Sequence, residues 1–323
     1  MDINSKIYVA GHLGLVGSSI VRELKLNGFN NVVTRTRSEL DLTDQLSCEK
    51  FFNIEKPDYV ILAAAKVGGI YANSNYPAEF IYNNLAIQNN IIHFSYLFGV
   101  KKMIFLGSSC IYPSNCEQPI KEEYLLSGQL EFSNRPYALS KIAGIEMCAS
   151  YNRQYQTNFL AVMPCNLFGI NDNYHQVNSH VIPALIRKFH EAKVSNQKSV
   201  TLWGSGKPMR EFLYSDDLAN AVLFILNLKD SEFESLLFPD NKIDKYPCLN
   251  VGSSCEISIF HLSILVKNIV GFNGKIIFDQ SNMDGTYRKL LDSSRINSMG
   301  WKPITSLSDG IKFAYEDFKQ QIY

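Results

Sequence analysis

The sequence has no excess of either charge and no apolar run long enough to span a bilayer. Lysine plus arginine and aspartate plus glutamate number 31 each, so no net field exists to attract nucleic acid or an anionic membrane. We therefore expect no nucleic-acid partner and no membrane association, although a local basic cluster could still hold an anionic ligand.

The sequence also lacks a CxxC pair, although it contains seven cysteines. The odd number and the spacing argue against a disulfide framework or a zinc site, and they fit a reducing compartment. No charged-then-apolar signal segment opens the chain. These features predict a cytoplasmic protein with no bound metal.

What the 323 residues do contain is a large apolar fraction, 46%, arranged in a repeating pattern. Short apolar runs that read as strands occupy 7–10, 32–34, 59–64, 103–106 and 159–163. Amphipathic stretches that read as helices occupy 16–27, 45–54, 77–98 and 136–156. This alternation predicts an α/β fold with a Rossmann-type, doubly wound parallel sheet.

After about residue 166 the alternation stops, and loops rich in Asn, Gly and Pro appear. The first domain is expected to cover 1–170, with returns near 213–228 and 248–252. A smaller, interleaved C-terminal domain that would hold the substrate is expected over 171–323. A chain of this length accommodates two such domains.

A glycine-rich turn follows the first predicted strand and opens the first helix. It reads Gly11-His12-Leu13-Gly14-Leu15-Val16-Gly17, which has GxxGxxG spacing. Glycines at such a turn let backbone N–H groups approach a pyrophosphate at a helix N-terminus. The position of the turn, more than its spacing, predicts a dinucleotide site.

Two arginines, Arg35 and Arg37, follow the second predicted strand, where a Rossmann domain meets the adenosine ribose. Arginine there accommodates a 2′-phosphate, so the sequence favours NADP over NAD. The alternative is that both are solvated surface charges. Asp41 could bracket the adenine or cap the next helix.

A tyrosine and a lysine, Tyr137 and Lys141, lie one helical turn apart at the start of the fourth helix. A neighbouring ammonium favours the phenolate of such a tyrosine, which makes it a usable acid or base. Ser108 follows the fourth strand, at the sheet edge where ligands bind. Serine, tyrosine and lysine together predict a carbonyl–alcohol hydride-transfer site.

These motifs resemble the extended short-chain dehydrogenases/reductases, and within them the GDP-L-fucose synthase family. The resemblance selects Ser108, four residues before Tyr112, over Ser109. It extends over nearly the whole chain, through the stretches 63–70, 107–113, 137–144, 163–169, 178–186, 203–206, 210–212, 284–286, 288–289 and 300–301.

The resemblance implies NADPH-dependent 3,5-epimerisation and 4-keto reduction of a GDP-linked 4-keto-6-deoxy sugar. It implies that Cys110 removes the protons at C3 and C5, that His180 returns them on the opposite face, and that Tyr137 protonates the C4 oxygen. It also implies a homodimer formed through the helices at 77–98 and 136–156. The structural alternatives are Cys110 as a small buried residue and His180 as a helix cap.

The implied binding residues form two groups. The NADP(H) contacts are Gly11, His12, Leu13, Gly14, Leu15, Val16, Gly17, Arg37, Asp41, Leu42, Ala63, Ala64, Lys66, Leu106, Gly107, Ser108, Lys141, Pro164, Cys165, Asn166, Leu167 and His180. The contacts to the GDP-linked sugar are Lys188, Trp203, Arg210 and Asp284.

The sequence departs from the family pattern at two positions. Leu13 stands where some relatives carry an arginine, which leaves Arg37 as the main support for a 2′-phosphate. Cys165 replaces a small polar residue. Two rival functions stay open: C4 reduction of another GDP-4-keto-deoxy sugar, such as a heptose, and a non-catalytic dinucleotide-binding regulator.

Overall fold

A computed structural model describes residues 1–176, 179–238, 245–281 and 286–322, except for the side chains at positions 70 and 71. Its strands are β1 (Ile7–Ala10), β2 (Val32–Val33), β3 (Tyr59–Leu62), β4 (Lys102–Leu106), β5 (Phe159–Pro164), β6 (Asn166–Phe168), β7 (Ser199–Trp203), β8 (Met209–Tyr214), β9 (Cys248–Val251), β10 (Glu256–Ser258), β11 (Lys275–Asp279) and β12 (Arg288–Lys289). Its α-helices are α1 (Leu15–Leu26), α2 (Gln45–Glu55), α3 (Ile70–Asn75), α4 (Pro77–Leu97), α5 (Arg135–Tyr155), α6 (Val181–Val194), α7 (Ser215–Leu226), α8 (Asp230–Leu237), α9 (Ile259–Val270), α10 (Ser294–Ser298) and α11 (Leu307–Ile322). Short 3-10 turns lie at Ser109–Ile111 and Glu122–Tyr124.

Six strands form one parallel sheet in the order β2-β1-β3-β4-β5-β9. The order reverses at β1, because the chain places β2 on one side of it and then β3 on the other. Ligands of open α/β sheets bind beyond the carboxyl ends of the strands at such a switch point. The predicted doubly wound parallel sheet is therefore confirmed, and the turns after Ala10 and Leu62 flank the expected ligand position.

The sheet is apolar on both faces because helices cover both. All four residues of β1 and of β3 are buried, as are all five of β4 and all six of β5. On one face the ring of Tyr8 lies 4.5 Å from that of Phe51 and 6.1 Å from that of Phe52, which are carried by α2. The continuous apolar runs in the sequence follow from this two-sided burial.

A second hydrophobic cluster packs between α6, α9 and α11, around residues such as Ile186, Leu262 and Phe318. In this part of the molecule β8 lies between antiparallel β10 and parallel β12, and it also pairs with β6. β7 pairs with β11. The residue boundaries between the two expected domains stay a prediction.

Two later segments join the first sheet layer. β9 pairs in parallel with β5 as the sixth strand, and α7 packs against α1. No helix among the described residues is both long enough and apolar enough to cross a bilayer.

Candidate active site

The glycine turn is shaped by two close backbone approaches. Gly11 has a φ of +88°, and a Cβ there would lie 2.7 Å from the backbone nitrogen of Ala64. A Cβ on Gly17 would lie 2.0 Å from the carbonyl oxygen of Gly11. A side chain at Gly11 would therefore push the turn away from the segment after β3, and one at Gly17 would force α1 away from the end of β1.

Gly14 is different, because packing within the protein does not require a glycine there. A Cβ on Gly14 would meet its nearest neighbour at 3.6 Å, an ordinary contact distance. This residue is the N-cap of α1, whose first turn contains no acidic residue. Its missing side chain leaves the helix N-terminus open, so the turn fits a dinucleotide pyrophosphate.

The two arginines after β2 have different environments. The guanidinium of Arg35 binds the Glu55 carboxylate at 2.5 Å and the Thr34 carbonyl oxygen at 2.8 Å. The side chain of Arg37 is 83% exposed, and its contact with Asp41 is a long one at 3.7 Å. Arg37 is therefore the arginine available to a 2′-phosphate, while Arg35 is committed to the protein.

Several other predicted cofactor residues at this edge form hydrogen bonds or ion pairs within the protein. Asp41 accepts hydrogen bonds from the backbone N–H and the hydroxyl of Thr43, and these lower the pKa of its carboxyl. The carbonyl oxygen of Leu42 accepts from Asn90. Lys66 donates its backbone N–H to Asn84 and places its ammonium against the Glu79 carboxylate. Leu13 is exposed.

Ser108, Tyr137 and Lys141 come together at the carboxyl end of β4. The hydroxyl of Ser108 forms a hydrogen bond with Tyr137 and accepts another from the backbone N–H of Cys110. The buried ammonium of Lys141 donates to the carbonyl oxygen of Leu106 at 2.8 Å. It lies 5.8 Å from the centroid of the Tyr137 ring.

Desolvation dominates the titration of Tyr137 and of Lys141. Burial raises the pKa of Tyr137, and the charge of Cys110 raises it further, against a smaller lowering by the Ser108 hydrogen bond. Burial lowers the pKa of Lys141 to about 7. The expected lowering of the phenol pKa by the ammonium is therefore wrong for this structure: burial and Cys110 raise that pKa, and the ammonium is itself desolvated and bonds to a carbonyl oxygen.

Cys110 lies beside this trio, in the 3-10 turn after Ser108. Its sulfur is 3.5 Å from the side-chain nitrogen of Asn134 and 3.7 Å from the ammonium of Lys289. Its electrostatic contact with Tyr137 places the thiol next to the predicted proton donor. The structure thus brings Ser108, Cys110, Tyr137 and Lys141 into one site.

His180 is the N-cap residue of α6, and its side chain makes no capping hydrogen bond. Although the residue has solvent access, surrounding protein strips enough water from the ring to lower its pKa. No contact that the structure describes joins His180 to Cys110. Their placement on opposite faces of a sugar stays a prediction.

The turn after β5 contains the predicted cofactor residues Pro164, Cys165, Asn166 and Leu167. The buried thiol of Cys165 is hydrogen-bonded to the carboxyl of Glu211, and burial raises the pKa of that thiol well above its usual range. The Asn166 side chain donates to the backbone carbonyl oxygen of Glu211 at 2.8 Å. This turn is therefore tied to β8.

Three of the four residues predicted to bind the GDP-linked sugar are described. The ammonium of Lys188 lies 5.4 Å from the ring centroid of the exposed Trp203, and burial lowers the pKa of Lys188. Arg210 lies on β8, in register with Lys289 of β12, and donates to the Met209 carbonyl oxygen. Asp284 lies outside the described residues.

Sequence reasoning missed the roles of Asn134, Glu211 and Lys289. Asn134 directly precedes the helix that carries Tyr137, and this position is the one feature of the sequence that could have indicated its place near the site. Lys289 lies 179 residues from Cys110, and Glu211 is 46 residues from Cys165 in the chain, so no local pattern reports either contact.

A glycine turn at the switch point, together with a serine, tyrosine and lysine at the end of β4, defines a nicotinamide-dependent enzyme of the extended short-chain dehydrogenase/reductase class. Comparison with known proteins agrees with that class. The model of the NAD dependent epimerase/dehydratase family matches residues 7–235.

Two full-length relatives narrow the class. A putative GDP-L-fucose synthase 2 of Arabidopsis thaliana is 54% identical over 100% of this chain and 94% of its own length. The GDP-L-fucose synthase of Escherichia coli (strain K12) is 48% identical over 97% of this chain and 96% of its own. A solved GDP-mannoheptose C4 reductase from Campylobacter jejuni with NADP bound is 45% identical, with a TM-score of 0.89 over 99% of each chain.

The chain belongs to the NAD dependent epimerase/dehydratase family and, within it, to the GDP-L-fucose synthases. The family predicted from the sequence is thereby confirmed.

Proposed function

We propose that the protein binds NADP(H) and converts a GDP-linked 4-keto-6-deoxy sugar by 3,5-epimerisation and 4-keto reduction, as in GDP-L-fucose synthesis. The observation that carries this proposal is the adjacency of Cys110 to Tyr137 and Ser108. A proton-transfer thiol then lies beside a carbonyl-reduction site, so both reactions can use one pocket.

The 4-keto group of the substrate acidifies the hydrogens at C3 and C5. In the proposal Cys110 takes each proton, and His180 in its imidazolium form returns one on the opposite face. The lowered pKa of His180 makes its imidazolium a stronger acid than an ordinary histidine. Inversion of a carbon requires such a pair on opposite sides.

Reduction needs a proton at the C4 oxygen, and Tyr137 supplies it. Burial raises the pKa of Tyr137, so the phenol stays protonated near neutral pH and is ready to donate. Ser108 bonds the same oxygen as charge develops on it. When bound, NADPH supplies the hydride to C4.

The residues present fit this cofactor. The open N-terminus of α1 at Gly14 suits the pyrophosphate, and the exposed Arg37 suits the 2′-phosphate. The GDP-linked substrate is assigned to Lys188, Trp203, Arg210 and Asp284, since cations pair with its phosphates and the indole packs on a ring.

The test is incubation with GDP-4-keto-6-deoxy-mannose and NADPH in heavy water, with NADPH oxidation and product NMR as readouts. We expect deuterium at C3 and C5 and a reduced C4. Tyr137→Phe should lower the rate of reduction by orders of magnitude, and Cys110→Ser should abolish deuterium uptake while sparing reduction of an already epimerised substrate. Unchanged turnover in Tyr137→Phe would refute the assigned site.

A second candidate acceptor is a GDP-linked 4-keto heptose, favoured by the likeness to the C. jejuni heptose reductase. The same screen with this sugar separates the two. Reduction of the heptose without deuterium in the product would support a plain C4 reductase. The third alternative, a non-catalytic regulator, is disfavoured by the assembled trio of Ser108, Tyr137 and Lys141.

The protein is also proposed to be a cytoplasmic homodimer that pairs through α4 and α5. These helices pack on each other, and exposed large side chains on them include Tyr82 and Tyr155. All seven cysteines are free, which suits a reducing compartment. Light scattering on the purified protein should give twice the chain mass, and Tyr155→Glu should shift it toward the monomer.

A further inference from the structure

The sulfur of Cys110 faces two nitrogen donors from distant parts of the chain. The amide nitrogen of Asn134 lies 3.5 Å away, and the ammonium of Lys289 lies 3.7 Å away. A thiolate accepts such donors well, whereas a neutral thiol is a weak acceptor. The sulfur therefore has two N–H donors within reach, and one of them is cationic.

Lys289 is held in place by strand pairing and by hydrogen bonds from the two residues that follow it. It pairs with Arg210 across β12 and β8. The next residue, Leu290, donates its N–H to the side-chain oxygen of Gln118 at 2.8 Å, and Leu291 donates to Glu211 at 3.0 Å. The ammonium thus approaches Cys110 from a fixed strand rather than from a loose surface loop.

The charge of Lys289 is not neutralised by an acid among the described residues, where no carboxylate forms an ion pair with it. The neighbouring Arg288, in contrast, binds Glu256 at 2.7 Å. Three other groups bear on the electrostatics here. Tyr137 of α5 interacts with Cys110, Cys116 interacts with Lys289, and Asn134 faces the sulfur without charge. The ammonium is the cation in contact with the thiol.

The second donor near the sulfur is the side-chain amide of Asn134. Its amide nitrogen points to sulfur, while its carbonyl oxygen is buried with no hydrogen-bond partner among the described residues. A buried, unpaired oxygen costs stability.

We propose that Lys289 is a positioning residue that raises the thiolate fraction of Cys110, and that this thiolate is the base of the epimerisation. This inference rests on the proposed function. In the step, the C–H bond beside the ketone breaks, an S–H bond forms, and the electron pair moves into the enolate. The imidazolium of His180 then gives a proton to the same carbon. The thiol releases its proton to water, the imidazole takes one up, and no oxidant is needed.

The size of the benefit follows from the thiolate fraction. A free thiol of pKa about 8.5 is about 3% thiolate at pH 7, and favouring the thiolate by one pH unit raises that to about 24%. The weaker base loses about threefold in reactivity when the Brønsted coefficient is about 0.5. The net gain is therefore about two- to threefold per pH unit.

The test titrates Cys110 directly, without substrate. Each protein is alkylated with iodoacetamide across pH 5.5–10, and the rate at the Cys110 peptide is read by mass spectrometry. Lys289→Met is expected to raise the midpoint pH by about one unit or more, and Lys289→Arg is expected to restore it. Arg288→Met, a lost cation on the same strand, should leave it unchanged. Circular dichroism confirms that each variant is folded.

Deuterium uptake at C3 and C5 of the GDP-4-keto sugar is the second readout. Lys289→Met should slow it at pH 7 by at least about twofold, with a smaller change in KM. An unchanged alkylation midpoint together with a raised KM would overturn the inference and assign Lys289 to the substrate diphosphate. Absence of uptake in the unaltered enzyme would instead refute the proposed function, and the alkylation series would still report on the pair.

Discussion

Glu211 provides a sharp test of the electrostatics inside this fold. The residue is fully buried, and its two carboxyl oxygens accept the backbone N–H groups of Ser254 at 2.7 Å and Leu291 at 3.0 Å. These hydrogen bonds lower its pKa, but burial outweighs them and raises it from 4.5 to about 7. Ionising Glu211 therefore costs the folded protein free energy.

The sign and the size of the effect on stability follow from the linkage between proton binding and folding. Because the folded state binds the proton more tightly than the unfolded state, the contribution of Glu211 is fully present below pH 4.5 and is lost as the pH rises through 7. For one group with these two values, the loss between pH 5 and pH 8 is about 2.5 kcal/mol. Because the side chain is fully buried, solvent does not screen this effect.

The perturbation is Glu211→Gln, which cannot ionise. The amide nitrogen of the glutamine also faces a backbone N–H group that donated a hydrogen bond to the carboxylate. The loss of that hydrogen bond costs about 1–3 kcal/mol, and this cost does not vary with pH. The difference in unfolding free energy between variant and parent should therefore move by about 2.5 kcal/mol in favour of the variant from pH 5 to pH 8. Urea unfolding at fixed pH, followed by tryptophan fluorescence, measures it.

The matched control is Glu49→Gln on the exposed side of α2, which should keep the pH dependence of the parent. All other titrating groups cancel in the difference. A difference that stays flat to within about 0.5 kcal/mol between pH 5 and pH 8 would refute the assignment of a neutral, buried Glu211.

Three further predictions concern the cofactor and the proton donor. Gly17→Ala, whose Cβ would lie 2.0 Å from the oxygen of Gly11, should cost several kcal/mol of stability, on the order of 2–4, and abolish NADPH binding in a fluorescence titration, whereas Gly14→Ala should fold normally. Arg37→Ala should weaken NADPH binding about ten- to hundredfold and leave NADH binding unchanged by calorimetry; equal losses would contradict a 2′-phosphate contact. Tyr137→Phe should lower the rate of NADPH oxidation about 10²–10⁴-fold while deuterium uptake persists, and loss of both would show a shared role.

The parts of this structure that could be predicted are those encoded locally. The strand predicted at 7–10 has those bounds, the strand predicted at 103–106 lies within β4, and the helix predicted at 77–98 differs from α4 by one residue. Two-sided burial makes each strand a continuous apolar run, and such a run is visible in the sequence. Ser108 and Tyr137 are predicted for a related reason, since Ser108 follows a strand and Tyr137 lies in the first turn of a helix.

The parts that escaped prediction depend on contacts between distant segments. The resemblance predicts Arg37 as the main 2′-phosphate contact, but the ion pair that engages Arg35 joins it to Glu55, 20 residues away, and no local pattern shows that pair. The approach of Lys289 to Cys110 exists because β12 pairs with β8, and that pairing is not visible in a two-residue strand. Contacts of this kind are set by tertiary packing rather than by periodicity.

Cys165 shows how one such contact can be tested from the cofactor side. Its thiol is the hydrogen-bond partner of Glu211 where a family pattern expects a small polar residue. A hydroxyl donates more strongly than a thiol, so Cys165→Ser should stabilise the ionised carboxylate and lower the pKa of Glu211. If that pKa falls by about one unit, the stability lost from pH 5 to pH 8 shrinks to about 1.3 kcal/mol. The same urea series measures it, with Cys148→Ser, a buried thiol on α5, as the control for core disruption. A steeper pH dependence in Cys165→Ser would mean that the hydroxyl does not reach the carboxyl, and that the turn after β5 and strand β8 are not electrostatically joined.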